Sequence, residues 1–169
     1  MVGVICFMDF DVFYNSKKLM ADVSVFKSMF PFLEVGNIGF SVLGKPIPFI
    51  KIGNGANRVL YSAAFHANEF ITTNVLMRFV FDLASAFSSD GFIFGYRARD
   101  VLSYASIYVV PLVNPDGVDL VTGFIPSNSA IYFDAKRIAD KFPSIPFTNG
   151  WKANIRGVDL NLQFPARLV

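Results

Sequence analysis

Between the apolar runs Arg58–Phe65 and Ser106–Val113 lies a long apolar stripe at helical spacing, from Asn68 to Ala86. Strand, helix, strand is the pattern of a sheet with helical cover, an α/β arrangement, and no other stretch restricts the fold as much. The first run reads as a buried strand with a sharp exit, where Phe65-His66-Ala67-Asn68-Glu69 leads into the helix. The second stops at Asn114-Pro115-Asp116-Gly117, a turn sequence with proline preset for the corner and no chemical role expected of it.

Upstream, Leu19, Met20, Val23, Phe26 and Met29/Phe30 keep a helix-like spacing closed by Pro31, which predicts a first helix over Tyr14–Phe30. Val35–Leu43 and Pro46–Ile52 alternate as two strands of a hairpin around Gly44-Lys45-Pro46. Gly53-Asn54-Gly55 reads as another hairpin turn, since it lacks the Lys-Ser/Thr of a phosphate loop and precedes no helix. Downstream, a short helix is expected at Ala130–Lys141, then a proline-containing loop, then a strand or strand end at Gly157–Leu162.

Composition narrows the function classes. The 169 residues have the size of one domain, and 15 Lys+Arg against 13 Asp+Glu lack the basic excess of a nucleic-acid binder. Hydrophobic residues reach 53%, with 20 Phe, above the usage of an average soluble domain. Even so, Val75–Phe87 and Val101–Asn114 are too short for a membrane span or are broken by Arg78, Asp82 and Pro111. Residues 1–8 are apolar, but no positive charge leads them, and Asp9 and Asp11 cut the run short of a signal peptide. Cytoplasm and cell wall both stay open as locations, and no specific protein partner is indicated. Cys6 stands alone, so no intramolecular disulfide framework is expected.

His66 is the sole histidine, and Glu69 follows it by three residues. A histidine at a strand end and a glutamate one helical turn later can meet at a single ion. Catalytic zinc is commonly held by three protein ligands plus a water whose pKa falls towards neutrality. Taken alone, His-x-x-Glu has a plainer reading, with the ring bonded to backbone or solvent and Glu69 favoured by the helix dipole.

Three separated segments change that balance: "SAAFHANEFITTNVLM", "VVPLVNPDGVDLV" and "WKANIRGVDLNLQFPA". In order and spacing they resemble the zinc carboxypeptidases, most closely the bacterial gamma-D-glutamyl-L-diamino acid endopeptidases, over most of residues 35 to 166. The resemblance implies a mixed central sheet with helices on both faces, incomplete at the C-terminal end. Residues 1–34 would form an N-terminal segment with the first helix, and 35–169 the start of the catalytic domain. His66 and Glu69 fall on the family's first two zinc ligands. Lys152 falls where relatives keep an arginine that polarises the scissile carbonyl; lysine keeps the charge but loses the planar fork, and Arg156 is a second candidate. Asn161 falls on an asparagine that helps hold the substrate carboxylate. Beside it, Leu162 stands where true carboxypeptidases have an arginine clamp. That departure favours an endopeptidase acting on the stem peptide of peptidoglycan.

The family's third zinc ligand, a histidine, and its general base, a glutamate, lie beyond Asn161, where this sequence has no acidic residue and no histidine. The expectation is therefore an N-terminal part of a longer zinc peptidase, inactive alone. A non-catalytic relic of the same fold that binds peptide without cutting it is the alternative. A serine hydrolase with His66 as base ranks last, because no Gly-x-Ser-x-Gly elbow is present.

Overall fold

The computed structural model describes residues 9–10 and 12–165. Cys6 and the apolar stretch 1–8 lie outside them. Helix α1 (Ser16–Met29) starts where the Asn15 side chain accepts from the Lys18 amide, and it ends ahead of Pro31. Its Leu19, Val23 and Phe26 are buried. Near its start the Tyr14 hydroxyl donates to Asp22 at 2.5 Å; burial, and then this bond, push the phenol pKa up.

The main sheet has the order β1-β2-β6-β3 and is mixed. Strands β1 (Glu34–Phe40) and β2 (Pro46–Ile52) form the expected antiparallel hairpin. Strand β6 (Ala105–Val110) pairs antiparallel with β2 and parallel with β3 (Asn57–Ser62), with Val59 opposite Ile107. Between β3 and β6 run a single 3-10 turn (Ala67–Glu69), α2 (Ile71–Ser88), a small hairpin of β4 (Phe92–Ile93) and β5 (Tyr96–Arg97), and α3 (Ala98–Tyr104). Beyond β6 come α4 (Pro115–Val121) and α5 (Ala130–Ala139).

The core sits where α1 and α2 cover the sheet face that carries Ile50, Ile52, Ile107 and Val109. The stretch Ala67–Ser88 is long and apolar enough to cross a membrane by length and composition alone. Its Met77, Val80, Leu83 and Ala84 are fully buried among these residues, which makes α2 the core helix of the sheet. On the opposite sheet face Phe49, Leu60, Tyr108 and Val110 line a shallow groove to which no described helix contributes.

Several expectations are corrected. Strand β3 is an exposed edge rather than a buried strand, because no described element pairs with its outer side, and it stops at Ser62, ahead of the bend at Ala64. Gly53-Asn54-Gly55 is no hairpin turn: β6 lies between β2 and β3, so the loop crosses the start of β6. A Cβ on Gly55 would fall 2.0 Å from the Tyr104 carbonyl carbon, which leaves glycine alone room to pass. Asn114–Gly117 begins a helix: Asn114 caps α4 by accepting from the Gly117 amide, with Pro115 in the first turn. Gly157–Leu162 is not a strand but a turn, with Gly157 at φ +78, followed by a 3-10 turn at Leu160–Leu162.

Candidate metal centre

The chain reaches the site through backbone that its neighbours fix. After β3, Ala64 adopts a positive φ of 52, the Ala64 amide donates to Thr72 Oγ1, and that hydroxyl donates to the Glu69 carbonyl. These bonds bend the chain so that His66 caps the 3-10 turn with extended backbone and Glu69 closes the turn. Asn114 ties this loop to the distant segment 151–159, since its Nδ2 donates to the carbonyls of Phe65 and Ala153, each at 3.1 Å. The Ala67 amide adds a further bond to the Lys152 carbonyl. Gly117 permits the close approach of α4: a Cβ there would lie 2.6 Å from Asn114 Nδ2 and 2.8 Å from the Ala67 methyl.

His66 Nδ1 lies 3.1 Å from Glu69 Oε1, and Nε2 lies 3.2 Å from Asp159 Oδ1. The ring is mostly buried, whereas Glu69 is half exposed. Ligands about 2.0–2.1 Å from a tetrahedral zinc ion stand roughly 3.3 Å from one another, so the Nδ1–Oε1 separation suits two donors of one ion. Asp159 faces the opposite ring nitrogen and cannot share that ion. It stands instead where a carboxylate fixes the tautomer and orientation of a ligating histidine. Among the described residues, no group of three His, Cys, Asp or Glu side chains could hold a metal.

The remaining expected site residues divide. Lys152 joins the cluster, with Nζ 3.8 Å from Glu69 Oε1. It follows Trp151, which is buried and packs edge-on against Phe147 at 5.8 Å. Arg156 points elsewhere, sharing a surface groove with Leu43, Ile131, Asp134 and Ile138. Asn161 is exposed, and its backbone amide donates to Asp159 Oδ1 at 3.0 Å. Asp159 itself escaped the sequence reading. The available signal was its place as the one carboxylate after Arg156, two residues before Asn161.

A zinc carboxypeptidase family model matches residues 20–168. Gamma-D-glutamyl-L-diamino acid endopeptidase 1 of Lysinibacillus sphaericus is 45% identical over 154 residues, which is 91% of this chain and 38% of that protein. The uncharacterized protein YqgT of Bacillus subtilis (strain 168) is 37% identical, over 90% of this chain and 40% of that one. The chain thus spans about two-fifths of the length of these curated relatives. In fold it is similar to bovine thrombin-activatable fibrinolysis inhibitor, with a TM-score of 0.60 and 17% identity over 86% of this chain and 38% of that one. Carboxypeptidase A from Helicoverpa armigera gives a TM-score of 0.51 and 19% identity, over 69% and 28% of the two chains. On the family match and the two curated relatives, this chain belongs to the zinc carboxypeptidase family.

Proposed function

We propose that this chain carries the first part of a zinc peptidase site that hydrolyses the amide between a gamma-D-glutamyl residue and an L-diamino acid in the stem peptide of peptidoglycan. The observation that carries the reading is the pair His66 Nδ1 and Glu69 Oε1 at 3.1 Å, with Asp159 on the other ring nitrogen. His66 and Glu69 would hold the ion, and bound zinc would supply Lewis acidity and an activated water. Asp159 holds the proton of Nε2 and keeps the lone pair of Nδ1 towards Glu69. Lys152 brings positive charge to the side where the scissile carbonyl would lie, and Asn161 is a substrate contact, whereas Arg156, the second candidate, faces a separate groove.

The choice of bond is supported by the 45% identity to a gamma-D-glutamyl-L-diamino acid endopeptidase. Leu162 supports it too: an exposed leucine beside Asn161 offers no cation to clamp a terminal carboxylate. Among the described residues, His66 and Glu69 are the two side chains that would hold the ion. Zinc titration of the purified chain beside His66→Ala tests the reading. One ion per chain that His66→Ala releases is expected, and zinc uptake unchanged in that variant would overturn the assignment.

A further inference from the structure

We propose that Lys152 is a specificity-determining residue that recognises the free α-carboxylate of a gamma-linked D-glutamyl residue; the inference rests on the function proposed above. Among the described residues, Lys152 is the cation within ion-pair reach of the His66, Glu69 and Asp159 cluster. Its backbone is pinned, because its carbonyl accepts from the Ala67 amide and Trp151 beside it is buried. The amine is half exposed, and its one ion-pair contact, to Glu69, is long at 3.8 Å. Once Glu69 serves a metal ion, that carboxylate is committed and the ammonium is left without its partner.

Among the described residues lining the adjoining cavity, Lys152 finds no substitute. It stands on the rim of a cavity of about 590 Å³ lined by Ile138, Phe142, Phe147 and Trp151, where the other charged residue is Asp159. Asp159 is already held by the His66 ring and by the Asn161 amide. An unpartnered ammonium beside a metal pair and an apolar cavity fits a substrate that brings its own anion. A gamma-glutamyl amide does so: its α-carboxylate stays free, three carbons from the scissile carbonyl. An ordinary α-linked peptide of neutral residues has no charge at that place. Lysine suits the task as a flexible point charge that needs no bidentate geometry.

Calorimetric titration of the zinc-loaded 169-residue chain with N-acetyl-gamma-D-glutamyl-L-lysine and with its α-carboxamide analogue tests this. The carboxylate form is expected to bind about fivefold tighter, as for a half-exposed ion pair, and the margin should shrink with added salt. Lys152→Met should erase the preference and Lys152→Arg should keep it. A cation that acts only on the developing oxyanion would leave ground-state discrimination unchanged. Equal affinities for the two peptides, or a preference that survives Lys152→Met, would overturn the inference while leaving the proposed function standing. Failure to bind either peptide would overturn both.

Discussion

A histidine ring has two nitrogens, and what the first one holds decides what the second can do. In this chain Asp159 Oδ1 sits 3.2 Å from Nε2, so Nδ1 is the nitrogen on the Glu69 side. Replacing Asp159 with asparagine keeps the shape and an acceptor but removes the charge. Competition against a chromophoric chelator should then show zinc affinity reduced about 10–100-fold, with thermal stability nearly unchanged. Unaltered affinity would remove Asp159 from the site. His66 and Glu69 were legible in the sequence because three residues separate them and local backbone alone brings them together. Asp159 was not, because 93 residues separate it from His66, and in Gly-Val-Asp-Leu-Asn-Leu it resembles any polar residue of a strand. The Asn114 contacts that bring the two segments together span 49 and 39 residues and leave no local trace.

Among the elements, helix α4 shows how a short segment can be held by charge. Asp119, fully buried, accepts from the Ser16 amide and hydroxyl and from Lys45 Nζ at 2.6 Å; Asp116 accepts from Ser41, Leu43 and the same amine at 3.3 Å. Lys45 thus clips the β1–β2 turn, and Ser16 the start of α1, onto α4. Lys45→Met leaves two buried carboxylates without their cation and should cost about 3–5 kcal/mol in urea unfolding. A change below about 1 kcal/mol would mean that water reaches the pair. The sequence predicts α1, α2, α5 and the first hairpin, and the clearest of these, α1 and α2, carry a helical period with a buried face. The helical character of α4 is hidden because Asn114-Pro115-Asp116-Gly117 is a turn signature and seven residues leave little room for a helical period. Sequence reading placed β3 inside the sheet because an apolar strand reads alike at the centre and at an edge. The real strand is covered on neither face as a central strand would be.

Across the whole molecule, apolar surface concentrates around β3. Leu60 is 66% exposed on the open sheet face, while Ile71 and Val75, at 59% and 63%, flank Tyr61 on the α2 side. An edge strand with bare apolar flanks is a template for association. Light scattering coupled to size exclusion should find this chain self-associating at high concentration. The double variant Leu60→Lys with Val75→Lys should raise the monomer fraction without lowering Tm, and a wild-type chain that stays monomeric throughout would contradict the reading. The bond between Asp159 and His66 also has a consequence in time. A chain is made from its N-terminus, and His66 and Glu69 leave the ribosome well before residue 159 does. Until then nothing in the finished arrangement selects between the two ring nitrogens, and a passing cation meets an undirected imidazole. The segment that gives the ring its direction emerges after the ring itself, so the proposed metal pair is set only once Trp151 to Asp159 has docked.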